Sequence, residues 1–423
     1  MSILADASPP ERPLRALLAD PGFLCVWSIG ALSGIVRWLQ LLVLGLYTFE
    51  LTGSPLLVST VPMLWMIPLA LFGPLVGVLA DRINRKALLA GALLTMLAVS
   101  IAAAILAHGG TFGFGHVAAL SLVSGLVWSA DMPVRRRLLG DLSGEALAGA
   151  MSLDAATANA TRMTGPLVGG VMLQVFSLTG VFVLSAALFA ACVALLFLTP
   201  APPRHETTVL PAFWRDLGAG LRFVRGDAAL RRVLAITIVF NVWGFPFTAM
   251  IPVIGADRLG LDAVMVGFLS SAEGLGAFAG AILVALHARP GNFFAIYLGG
   301  TIVYLSMVAY LSVLSHVAGG PLHSFLAASL TLVVIGMAGA CFGSMQGTLT
   351  YLGAPPEYRS RVLGVLTLCI GSGPLGFFNV GWMAELAGVS NALLIISAEG
   401  LFALLLLWLY GRETPPPAAG SPR

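Results

Sequence analysis

Gly77-Val78-Leu79-Ala80-Asp81-Arg82-Ile83-Asn84-Arg85-Lys86 is the stretch that decides how this chain reads. An apolar run that begins near Leu56 stops there, and an acid and a cluster of bases follow at once. Ionised side chains are costly within lipid, and bases gather on the cytoplasmic side of a membrane helix. The run therefore reads as a spanning helix, from about Leu56 to Ala80, that ends in cytoplasm.

The same pattern fills the chain. Of 423 residues, 58% are hydrophobic and 10% are charged, too little polar surface for a soluble globular protein of this size. Apolar stretches of about the 20-residue spanning length recur from end to end, and about twelve are expected. Backbone groups in lipid must be satisfied within their own segment, so the runs are helices, and they are too long for barrel strands. The net charge of +3 does not form a nucleic-acid patch. With Met1 inside, the bases fall in loops on one side, including Arg12, Arg15, Arg85, Arg135, Arg136, Arg137 and Arg361, while Arg258 alone lies opposite. Both termini are thus expected in the cytoplasm. Cys25, Cys192, Cys341 and Cys369 sit singly in apolar spans, which argues for core packing over disulfides or metal.

The expected organisation is a tail over 1–22, a six-helix bundle over 23–199, a linker over 200–232, a second bundle over 233–410 and a tail over 411–423. In the first helix Gly30, Ser33, Gly34, Arg37 and Gln40 recur at three- and four-residue steps and share a face. The fourth, over about 117–134, ends in Asp131-Met132-Pro133-Val134 before three arginines. The fifth, over about 148–176, carries Asp154, Asn159 and Arg162, then Gly165-Pro166-Leu167-Val168-Gly169-Gly170. Gly-Pro-Leu-Val-Gly occurs at 73–77 and again at 165–169, in helices expected to run in opposite directions, as an inverted three-plus-three repeat would leave. In the linker Phe213, Leu217, Leu221 and Val224 form an apolar stripe flanked by arginines, which reads as a helix on the inner membrane surface. An offset of 208 aligns Pro166 with Pro374 and maps Asp81 onto Arg289, so the second copy of the opening motif is degenerate.

The opening stretch resembles the signature between the second and third helices of the major facilitator superfamily, Gly-x-Leu-x-Asp-Arg-x-Gly-Arg-Arg/Lys. It departs at Asn84, where the family has glycine. Asn is the next residue tolerated in left-handed backbone, so the turn is expected to survive. Phe49-Glu50-Leu51-Thr52-Gly53-Ser54, Asp131-Met132-Pro133, Ser152-Leu153-Asp154 and Arg162 before Gly165-Pro166 are similar to the bacterial branch that contains the enterobactin exporter and macrolide-efflux proteins.

The resemblance implies an all-α polytopic protein of two pseudo-symmetric six-helix bundles, with helices one, four, seven and ten lining a central cavity. It also implies that Gly77, Asp81, Arg82, Arg85 and Lys86 form a cytoplasmic gate, Asp81 facing the start of helix eleven near Ser360. Gly165, Pro166, Gly169 and Gly170 resemble the helix-five motif of antiporters, and small-residue packing explains them as well.

A charge in mid-membrane needs a partner or a water-filled cavity. Arg37 and Arg162 are the bases well inside spans; each either holds an anionic group of a substrate or serves as counter-ion to Asp154 or Glu273. Glu273 reads as a proton carrier, since desolvation favours a protonated carboxyl, or as one member of a structural ion pair. Glu399 reads as peripheral. Gln40, Asp131, Asn241 and Gln346 complete the expected substrate and proton pathway, on stripes that suit pore lining and packing equally.

No nucleophile elbow, phosphate-binding loop or metal-ligand pair is visible, and the chain does not read as an enzyme or as needing a cofactor. The reading is a secondary active transporter, acting as a monomer, that exports a siderophore-like or drug-like and anionic small molecule in exchange for protons. Lysophospholipid flipping, nutrient import and a non-transporting membrane sensor are the alternatives.

Overall fold

The computed structural model describes residues 17–80, 84–199, 213–314 and 321–410, and every regular element among them is helical. The spanning helices are α1 Pro21–Thr52, α2 Pro55–Ala80, α3 Arg85–His108 and α4 Phe114–Ser143. The helical run Leu147–Leu198 breaks at Ser177, whose φ is 57°, giving α5 (147–176) and α6 (178–198). Then come α7 Ala228–Arg258, α8 Ala263–His287, α9 Phe293–Leu314, α10 Pro321–Gly353, α11 Arg359–Ala387 and α12 Val389–Tyr410. The expected twelve spans are present. A separate helix, Phe213–Gly226, lies between the halves in the sequence, with Leu217 and Val224 packed against α11.

Polar residues stand where the helices start. Asp20 accepts from Gly22 N at 2.8 Å, Asp227 from Ala229 N at 2.9 Å and Asp262 from Met265 N at 2.8 Å. Each satisfies an amide that has no partner within its helix. Asn84 corrects the expectation made for it. Its φ is −54°, not left-handed, and its side chain accepts from Lys86 N and Ala87 N as the N-cap of α3. A residue other than glycine fits because capping, not a left-handed turn, is what that position does here. A second correction concerns α4, which continues to Ser143, so Arg135, Arg136 and Arg137 lie on a helix instead of in a loop. The seventh span likewise begins at Ala228, five residues earlier than its apolar run.

Small residues set how closely the two halves approach. A Cβ on Gly170 would collide with the carbonyl of Ala263, one on Gly274 would lie 2.7 Å from Met163 Cα, and one on Gly267 2.8 Å from the Pro166 carbonyl. α5 and α8 are thereby in close backbone contact over 162–170 of α5 and 263–274 of α8. Gly371 and Ala70, and Gly381 and Ser59, do the same for α11 and α2. In lipid such contact supplies the dispersion energy that apolar burial cannot. Among the antiporter-like glycines of α5, Gly165 and Gly169 leave room for α1, and Gly170 leaves room for α8.

At the end of the bundle that carries Gly53 and Gly388, the halves cap one another. Glu385, near the end of α11, accepts from Ser54 Oγ at 2.7 Å and Leu56 N at 3.3 Å, at the start of α2. Gln174, near the end of α5, accepts from Val264 N at 3.0 Å, at the start of α8. The 208-residue offset that relates the halves maps Leu56 onto Val264. The fold's internal symmetry therefore repeats one latch twice, each half supplying the side chain for a helix start in the other.

A net hydrogen bond contributes about 1 kcal/mol, so replacing both Gln174 and Glu385 with Ala should raise the share of molecules open at this end by about ten-fold or more. Spin labels on Leu51 and Leu386 would report it as a new long-distance population in pulsed electron paramagnetic resonance. An unchanged distance distribution would remove the latch.

Candidate functional site

Two cavities meet at the centre of the molecule. The larger, about 740 Å³, lies between the halves, walled by Trp38, Arg162, Thr248, Glu273 and Phe377 among others. The second, about 610 Å³, lies within the N-terminal half, where Arg37, Gln40, Ser124, Trp128 and Asp131 reach its surface. Leu41 and Trp65 line both. Trp65 stacks on Trp128 with centroids 4.3 Å apart, so one aromatic pair forms the partition between the cavities.

The C-terminal wall of the larger cavity is irregular for a reason visible in the sequence. Pro246 and Pro252 cannot donate to a helical ladder, and α7 passes through a π turn at Phe240–Gly244 and a 3₁₀ turn at Phe245–Met250. This exposes Phe245, Thr248 and Ile251 to the cavity.

Pro166 likewise removes the amide that would bond to the carbonyl of Arg162, one turn back. Gly274 then lets α8 approach that carbonyl to 2.8 Å from where a Cβ would stand. The close approach brings Arg162 and Glu273 together. Arg162 donates from Nη2 to Glu273 Oε1 at 2.5 Å and from Nε to Oε2 at 2.9 Å. This ion pair joins the two halves. Glu273 is 5% exposed, and the Trp38 ring lies 5.1 Å from the guanidinium carbon of Arg162. The pair sits about ten residues into α8, roughly 15 Å along it at 1.5 Å per residue. Of the alternatives open from sequence, the structure shows Arg162 and Glu273 as mutual counter-ions.

The remaining acids and bases of the N-terminal half form a second cluster. Asp154 accepts from Arg135 Nη1 at 2.5 Å and from Arg136 Nε at 3.1 Å, while Arg135 Nε lies 3.7 Å from Asp131 Oδ2. Gly30 makes room for the Arg135 guanidinium, because a Cβ there would collide with it. Asp154 is therefore partnered by α4, not by Arg37 or Arg162 as sequence spacing had allowed. Arg37 has no carboxylate within ion-pair distance among the described residues; its guanidinium lies 5.4 Å from the Trp128 ring centroid. Around it Gln40 Nε2, Ser124 Oγ, Trp128 Nε1 and Asp131 Oδ1 are buried with no hydrogen-bond partner.

The other expected pathway residues lie elsewhere. Asn241 bonds to the carbonyl of Thr237 in its own helix, and Gln346 Nε2 donates to Thr237 Oγ1 at 3.3 Å. Both are buried within the C-terminal half and line neither of the two cavities. Glu399 accepts from Trp243 Nε1 at 2.8 Å, a contact between α12 and α7. Of the gate residues, Arg85 pairs with Asp141 at 2.6 Å and Lys86 donates to the Thr199 carbonyl, Gly77 lies near the end of α2, and Asp81 and Arg82 fall outside the described residues. Trp38, Trp65 and Ser124 were not anticipated. A signal for the tryptophans was present: both lie mid-span, away from the interfacial belts where tryptophan normally collects.

The Major Facilitator Superfamily model matches residues 26–377. The chain is 22% identical to macrolide efflux protein A of Streptococcus pyogenes, over 88% of this chain and 92% of that one. It is 26% identical to the enterobactin exporter EntS of Shigella flexneri, over 60% of each. Its fold superposes on the inward-facing, unoccupied crystal structure of a bacterial homolog of the human lysosomal transporter Spinster with a TM-score of 0.67, at 15% identity, over 96% of this chain and 100% of that one. Twelve spans in two related halves, a cavity between them and a family match across most of the sequence lead to one conclusion: the chain belongs to the Major Facilitator Superfamily.

Proposed function

We propose that the protein exports a small molecule of siderophore-like or drug-like chemistry from the cytoplasm by alternating access, in exchange for protons. The observation that carries the reading is the Arg162–Glu273 pair, which bridges the halves in the wall of the cavity between them. Efflux relatives among the similar proteins support the direction. The distribution of bases supports placing the Gly53 end outside and both termini in the cytoplasm of an inner-membrane protein.

In this reading the closed Gly53 end and the intact pair belong to the empty carrier facing the cytoplasm. A buried charge left without its partner is costly, about 3–5 kcal/mol, so the empty, unprotonated carrier is held from turning. A substrate that fills the cavity beside the pair parts the two halves there and loosens the bridge. Once the outer end opens and the substrate leaves, a proton on Glu273 discharges the carboxylate. The carrier then returns with Glu273 neutral and carries no unpaired carboxylate through the turn. Release of that proton to the cytoplasm restores the pair, so one site gates both steps.

The test is secretion under iron limitation. In a deletion strain one chelating metabolite should accumulate inside the cells, and the wild-type gene should restore its release. Glu273→Gln, which keeps the shape and removes the titratable charge, should leave secretion near the deletion level with protein abundance unchanged. Metabolite pools that do not differ between wild type and deletion would rule out the siderophore cargo. Secretion by Glu273→Gln at the wild-type rate would rule out proton exchange at this residue.

A further inference from the structure

Both cavities have largely apolar walls, and they differ in what their polar groups are bonded to. In the cavity between the halves the charged groups are bonded to each other and the rest of the wall is largely apolar. In the cavity of the N-terminal half, hydrogen-bonding groups are present without partners: Gln40, 4% exposed, has a free Nε2, and Ser124, Trp128 and Asp131 each keep one free polar atom. Buried polar groups are almost always satisfied, and four orphans around one cavity indicate a partner that comes and goes.

The chemistry of that partner follows from the groups it must satisfy. Gln40 Nε2 and Trp128 Nε1 only donate, Ser124 Oγ can donate, and Arg37 adds a guanidinium with no carboxylate on it. Arg37, Arg135 and Arg136 oppose Asp131 and Asp154, so this cluster is one negative charge short. The single orphan acceptor is Asp131 Oδ1, whose other oxygen faces Arg135. A planar monoanion with a hydroxyl beside it suits these groups. Its oxygens accept from Arg37, Gln40, Trp128 and Ser124, and its hydroxyl donates to Asp131. Arginine suits a carboxylate in particular, because its fork matches two oxygens at once.

We infer that the N-terminal cavity is a subsite for one hydroxycarboxylate group of the exported molecule, with its apolar remainder passing Trp65 and Leu41 into the cavity between the halves. This rests on the export reading for calling the ligand a cargo. It narrows that reading, because Arg162 is occupied by Glu273 and one anionic group is recognised, not two. The assignment also separates two tasks: Arg37 selects the molecule, and Glu273 couples its movement.

The experiment is calorimetric binding to the full-length protein in nanodiscs, with no gradient across them, using three probes that share one apolar body. These are 2-naphthylglycolate, 2-naphthylacetate, which lacks the hydroxyl, and 2-naphthylglycolamide, which lacks the charge. The glycolate should bind about ten-fold or more tighter than the amide, the scale of one charge-assisted hydrogen bond, and measurably tighter than the acetate. Arg37→Gln should abolish the preference over the amide, and Asp131→Ala the preference over the acetate. Should Arg37→Gln fold poorly, Gln40→Leu and Trp128→Phe each remove one donor without touching a charge and should each reduce the glycolate preference several-fold. Equal binding of glycolate and amide, no binding of the glycolate, or a preference that survives both donor deletions would overturn the inference. So would an Arg37-dependent response to lysophosphatidylglycerol alone, which would make the occupant a lipid headgroup. Because no gradient is present, loss of proton exchange in Glu273→Gln leaves this result untouched, and the two claims fail separately.

Discussion

The contact on which the rest depends is the bidentate bond between Arg162 and Glu273. It joins the two halves about midway through the membrane, where neither charge can be left alone. A hydrophobic contact there would be weak glue, since the lipid outside is as apolar as the interface. A charged one is strong while intact and costly when half-broken. That asymmetry suits a carrier that must stay closed when empty and move when loaded. Everything near the pair serves its geometry: Pro166 frees the Arg162 carbonyl, Gly274 lets α8 come close, and Trp38 lies against the guanidinium.

The same economy appears at the Gly53 end. Glu385 and Gln174 bond to amides that the start of a helix leaves unpaired, so the latch exploits donors every helix already has. Its repetition at Leu56 and Val264 follows from the relation between the halves. The donor amides are equivalent, while the acceptors, a carboxylate in one copy and an amide in the other, stand at positions three residues out of register. The opening motif shows the reverse outcome, because Asp81 maps to Arg289 and the counterpart lost its acid.

The N-terminal cavity and the cavity between the halves meet at the Trp65–Trp128 stack, with the unpartnered polar groups on the N-terminal side. A molecule lying across that stack meets donors at one end and aromatic and aliphatic side chains at the other. Proline in α7 contributes indirectly: by interrupting the helix it turns Phe245, Thr248 and Ile251 toward the centre.

The sequence alone determined the solvent, the number of helices, the face of α1 that carries Arg37 and Gln40, and which charges lie deep in the membrane. Hydropathy and helical period are local properties, and a twenty-residue window contains them. Which charges are partners was beyond its reach, because pairing depends on how helices far apart in the chain lie against one another. Asp154 could have met Arg37, Arg162 or the α4 arginines, and only packing around Gly30 selected Arg135. Asn241 and Gln346 lie on stripes that suit pore and packing alike, and both side chains are buried within their own half. A helical face is a direction without an address, and the tertiary structure supplied the address by setting close contact where glycine permits it and leaving cavities where tryptophan and arginine do not.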